Sequence, residues 1–137
     1  MANEAVILEL YGQPTGEPMR YTIADEVAIE KGTILKLSGA DLTAAKSETD
    51  GDIFAGFAAT EKVANDGQVT IGAFSKGLFD LAATGTVAIG DRLKISGANI
   101  VAVADDDIAE HASQHFGTAL EAAAAGSGTE VIRVWVH

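Results

Sequence analysis

Residues 35–42 read Leu35-Lys36-Leu37-Ser38-Gly39-Ala40-Asp41-Leu42, and residues 93–100 read Leu93-Lys94-Ile95-Ser96-Gly97-Ala98-Asn99-Ile100. Five of the eight positions are identical, and the other three exchange Leu for Ile or Asp for Asn. In each copy apolar and polar residues alternate up to Ser-Gly-Ala-Asp/Asn, and an apolar residue then resumes. That is the pattern of a strand, a tight turn and a second strand. Gly39 and Gly97 offer the turn backbone freedom, while Asp41 and Asn99 can hydrogen-bond their own backbone or adopt a left-handed conformation.

The echo extends both ways. Val27-Ala28-Ile29 before Gly32 matches Val87-Ala88-Ile89 before Gly90, and Phe54-Ala55-Gly56-Phe57-Ala58 resembles Phe116-Gly117-Thr118-Ala119. Gly67 and Gly128 each follow eleven residues after Gly56 and Gly117, and an apolar strand comes after each. The repeats cover roughly residues 19–76 and 79–136. Two copies are too few for a stacked solenoid, so two similar halves closing on a shared core are expected. The predicted fold class is all-β, a small β-barrel or sandwich-like domain of about nine or ten strands.

Residues 1–18 lie outside the repeat. Ala5-Val6-Ile7-Leu8-Glu9-Leu10-Tyr11 reads as a strand, and the segment after it holds both prolines, Pro14 and Pro18. Such a strand is either an N-terminal arm tethered to a single domain at 19–137 or an ordinary edge strand of that domain. As an arm it would offer Ala5, Val6, Ile7, Leu8, Leu10 and Tyr11 to a partner protein or a neighbouring subunit. At the other end, residues 131–136 alternate. Arg133 and Trp135 share one face, a candidate oligomer interface, while Ile132, Val134 and Val136 point to the other. The alanine-rich stretch at 121–125 reads as a short helical turn.

The 137 residues carry nine Lys and Arg against twenty Asp and Glu, a net charge of −11 with pI near 4.4. The cations are scattered, so no nucleic-acid partner is expected. No apolar run approaches the length of a membrane span. Met1-Ala2-Asn3-Glu4 lacks the basic start of a signal peptide. With no cysteine there is no disulfide and no thiolate metal site.

Catalytic signatures are sparse. There is no Gly-x-Ser-x-Gly elbow and no phosphate-cradling glycine loop. Gly126-Ser127-Gly128 reads as a linker. His111 and His115 have helical spacing for a metal, but neither a predicted helix nor an intervening glutamate motif accompanies them, and Asp105-Asp106-Asp107 lacks the spaced ligands of a calcium loop. No catalytic residue, metal site or cofactor is assigned, and the chain reads as not an enzyme.

Three stretches carry a resemblance. Residues 24–37, A-D-E-V-A-I-E-K-G-T-I-L-K-L, are similar to the opening of small head proteins of tailed bacteriophages. So are Gly77-Leu78-Phe79-Asp80-Leu81 running into Val87-Ala88-Ile89-Gly90-Asp91-Arg92-Leu93, and the ending from Gly117-Thr118-Ala119-Leu120 to Val131-Ile132-Arg133-Val134. The chain resembles the capsid decoration proteins, also called cement or head-stabilising proteins. The resemblance implies a non-enzymatic structural protein, made in the host cytoplasm, on the outer surface of the virion. It would bind the major capsid protein, stabilise contacts between capsid subunits, and self-associate, with a homotrimer favoured. The alternatives from other classes are a small-molecule or carbohydrate-binding β-barrel and a small oligomeric β enzyme.

Overall fold

A computed structural model describes residues 4–10, 19–104 and 114–137, and among these there is no helix. The strands are β1 (Val6–Leu10), β2 (Met19–Thr22), β3 (Ile34–Leu37), β4 (Ala44–Lys46), β5 (Phe54–Ala58), β6 (Thr70–Phe74), β7 (Gly77–Val87), β8 (Arg92–Gly97), β9 (Ile100–Val103), β10 (Gly117–Ala119) and β11 (Ala123–Val136). The first half forms a five-stranded sheet in the order β2-β6-β5-β3-β4. The second half has the order β7-β11-β10-β8-β9, and β9 returns to pair in parallel with β7. That closes a five-stranded barrel, and β1 is added on the far side of β7.

The two halves pair in matching register. Leu35 lies between Gly56 and Lys46, as Leu93 lies between Gly117 and Val103. Phe57 opposes Phe74 as Thr118 opposes Trp135, and Met19 opposes Ala73 as Phe79 opposes Val134. Even the barrel-closing pair Ala82–Ile100 has a remnant in the first half, the parallel bridge Thr22–Thr43. Gly56 and Gly117 are glycines for one shared reason. A Cβ on Gly56 would lie 2.8 Å from the Ala73 Cβ, and one on Gly117 would lie 2.9 Å from Val134 Cγ1. Neither strand could approach its neighbour with a side chain there.

Both repeated octapeptides make antiparallel hairpins, but their turns differ. In the second, Gly97 pairs with Ile100, and Asn99 takes the left-handed conformation at φ 57°. In the first, the Ser38 N–H reaches the Thr43 carbonyl, and it is Leu42 that turns left-handed, at φ 50°. Gly39 and Gly97 have no positive φ, so the freedom expected of them is not used. The stretch expected as a helical turn is instead the start of β11. Ala123 is buried and pairs with Val87, and this tertiary pairing overrides alanine's helical preference.

One shared core was expected, and the structure has two that touch. The first half encloses Tyr21, Ile23, Ile29, Leu35, Ala58 and Ile71. The barrel is filled by Phe79, Leu81, Leu93, Ile95, Val101 and Ile132. The join is made by β3 and β5, which are buried on both faces: Leu35 and Ala58 turn inward, while Ile34 and Phe57 enter the barrel's cluster. Phe57 stacks on Phe79 with centroids 4.0 Å apart, and Phe54 on Phe116 at 4.1 Å. Each such pair adds about 0.5–1.5 kcal/mol beyond the area it buries.

Candidate docking face

The apolar segment at the N-terminus is paired within its own chain. Val6 opposes Asp80, Ile7 opposes Phe79 and Leu10 opposes Gly77, with an irregularity between Ile7 and Glu9 that leaves Leu8 as an extra residue. Ala5 is buried in the barrel's cluster, and its N–H donates to the Gly32 carbonyl at 2.6 Å. Ile7 packs partly buried on the same cluster. The outward residues are Val6 at 54% exposure and Leu8 at 37%. Of the residues singled out in the sequence, Leu10 lies in the strand, whereas Tyr11 lies outside the described residues.

Residues of β11 alternate as expected. Ile132, Val134 and Val136 are buried, while Arg133 and Trp135 face outward. Arg133 Nε donates to Asp80 Oδ1 at 3.1 Å, which raises the guanidinium pKa above its ordinary value, and its backbone N–H donates to Glu121 Oε1 at 2.7 Å. Trp135 is 43% exposed, and its ring lies 4.6 Å from that of His137. Thr118 Oγ1 and His137 Nε2 are 3.0 Å apart.

Sheet order brings these two ends of the chain together. Val6, Asp80 and Arg133 form one row across β1, β7 and β11. Leu78, Trp135, Thr118 and Arg92 form the next row across β7, β11, β10 and β8. The N-terminal strand and the final strand, read separately in the sequence, are thus parts of one outer face. Arg92 and Thr118 were missed. The signal was available, because Arg92 precedes the second octapeptide where apolar Ile34 precedes the first. Arg92 has no ion pair among the described residues.

The remaining charges mostly fasten loops. Lys36 and Lys94, equivalent in the two octapeptides, both hold the loop after β4. Lys36 meets Glu48 at 2.7 Å and Lys94 meets Asp50. In that loop burial pushes the Asp52 carboxyl up, but the N–H groups of Glu48 and Thr49 outweigh it, with a net lowering. Lys62 is fully buried among Asp25, Asp66 and two backbone carbonyls. Its burial opposes the charge, yet the hydrogen bonds to Asp66 and Asp25 raise its pKa overall. The Gln68 N–H and the Lys62 ammonium hold the Asp66 carboxyl below its ordinary range. Glu30 is pushed up by burial and by Glu61 beside it.

His111 and the Asp105-Asp106-Asp107 run lie outside the described residues. His115 is described and partly buried, and among the described residues no cluster of His, Asp and Glu is placed to hold a metal. The barrel interior is occupied by its own side chains, with Leu81, Leu93, Ile95 and Val101 each at most 1% exposed.

A family model described as phage cement protein matches residues 13–135. Among solved structures, the N base of the head fiber of bacteriophage phi29 is similar in fold. It has 16% sequence identity and a TM-score of 0.54, covering 87% of this chain and 92% of that one. No curated protein shows significant sequence similarity to the chain.

Proposed function

The chain belongs to the phage cement protein family, and from that premise we propose that it binds the outer surface of the assembled head and stabilises contacts between major capsid subunits. It acts structurally, without catalysis or a cofactor, and reaches the virion from the host cytoplasm. It also self-associates, with a trimer favoured. The family match across residues 13–135 carries this reading.

The fold supplies a means. Among the described residues β1 pairs with a strand on one side only, so the backbone of its other side can take a further strand. An extended segment of a capsid subunit can add there, its backbone taking the open donors and acceptors and its side chains meeting Val6 and Leu8. Of the proposed contact set, Ala5 and Ile7 hold the strand to its own barrel, and Leu10 is the last residue of the described strand.

The test uses purified chain and heads that lack it. Wild-type protein should co-sediment with the heads and raise their resistance to heat. Val6→Asp combined with Leu8→Asp, both outward positions, should keep the melting temperature and weaken head binding at least about tenfold. Failure of the wild type to bind heads would overturn the reading. Wild-type affinity in the double variant would move the contact away from β1.

A further inference from the structure

The internal duplication turns one contact inside the chain into a template for another. In the first half, the row Ile34–Phe57–Phe74 crosses β3, β5 and β6. The barrel covers it: Ile34 and Phe57 are fully buried in the barrel's cluster, and Phe57 lies on Phe79. The equivalent row in the second half is Arg92–Thr118–Trp135. It is left open, with Trp135 43% exposed.

The receiving side of the contact recurs as well. Phe79, which takes Phe57, is the residue opposite Val134. Its first-half counterpart is Met19, opposite Ala73, and Met19 is 53% exposed. Each chain therefore carries both sides of its own inter-half contact a second time, not joined to each other among the described residues.

We propose that the Arg92–Thr118–Trp135 face of one copy seats on the Met19 end of a second copy. The contact joins unlike surfaces of like chains, and repeats from copy to copy until it closes into a ring. Charge fits this occupant. Chains of net charge −11 repel one another, and this face places Arg92, which has no ion pair among the described residues, and the Asp80-bound Arg133 where the next acidic chain arrives. A half-exposed Trp beside arginines is also the composition that interface centres favour. The proposal deepens the self-association named above by giving its two surfaces, and head binding is measured apart from it.

Sedimentation of the full chain at micromolar concentration tests it. The wild type should run heavier than a monomer. Trp135→Ala should weaken self-association about 30-fold. Arg92→Glu and Met19→Glu, both at exposed positions, should weaken it too with circular dichroism unchanged. The decisive measurement is a mixture. A chain carrying Trp135→Ala and Arg92→Glu keeps its Met19 end, and a Met19→Glu chain keeps its Trp135 face, so together they should form a 1:1 dimer that neither forms alone. A monomeric wild type, variants that associate like the wild type, or no recovery on mixing would each overturn the proposal. A monomer that decorates heads would overturn it and leave the head-binding reading intact. An oligomer that ignores heads would do the reverse.

Discussion

The two halves of this chain share strand order and register, yet one row of residues has opposite fates in them. Ile34 and Phe57 become interior and Phe74 partly so, whereas Arg92, Thr118 and Trp135 remain surface. The backbone does not decide which, because the pairings are equivalent. Three side chains decide it. Exchanging a buried Ile and Phe for Arg and Thr converts a permanent joint between halves into a face that a separate molecule can occupy and leave.

The sharpest way to break this comparison is to truncate one position of each row. Phe57→Ala should cost about 3–5 kcal/mol, since a fully buried ring and its stacking on Phe79 are lost. Thr118→Ala, its counterpart, should stay within about 0.5 kcal/mol. Urea denaturation of both variants checks this, and equal losses would show that the rows are not differently buried. The glycines probe instead what the halves have in common. Gly56→Ala and Gly117→Ala should each cost about 1–3 kcal/mol through overpacking. The former should be worse, because Gly56 also sits at φ 151°.

Turns give a smaller contrast. Asn99 accepts the N–H of fully buried Ile34 at 2.8 Å, so Asn99→Ala should cost about 1–3 kcal/mol. Asp41→Ala, at the matching sequence position, should be nearly neutral. The smallest expected effect is with pH. The Asp66 carboxyl titrates below its ordinary 3.8 when folded. Its contribution is therefore complete above about pH 4 and is lost as pH falls through the depressed folded value. The melting temperature of the wild type should drop more steeply below that pH than that of Asp66→Asn.

Much of this architecture was legible in the sequence because duplication leaves two readings of every strand but β1. The hairpins and the inward Ile132, Val134 and Val136 follow from pattern alone. The division into two cores was harder to read. Ile34-Leu35 and Phe57-Ala58 are adjacent apolar pairs, which is how strands buried on both faces look, but nothing local says what covers the second face. Alanine at 122–125 pointed to helix because propensity is local, whereas its pairing partner Val87 is distant in sequence. Buried Lys62 carries only part of its mark locally, since Asp66 lies four residues on whereas Asp25 reaches it from a distant loop. For the face itself, alternation placed Arg133 and Trp135 correctly, but only sheet order sets Arg92 and Val6 beside them.

The attachment of β1 to β7 has a mechanical consequence. The strands are antiparallel, and the paired residues from Val6–Asp80 to Leu10–Gly77 run alongside one another. A pull along β1 loads those hydrogen bonds in shear, all together, whereas a pull across the strand would part them one after another. Leu8, unmatched in the ladder, divides the load into two short blocks. Force that enters at β1 passes to β7 and then into the ladder with β11, which spans from Gly77–Val136 to Val87–Ala123. A tether joined edge to edge here resists sliding far better than peeling.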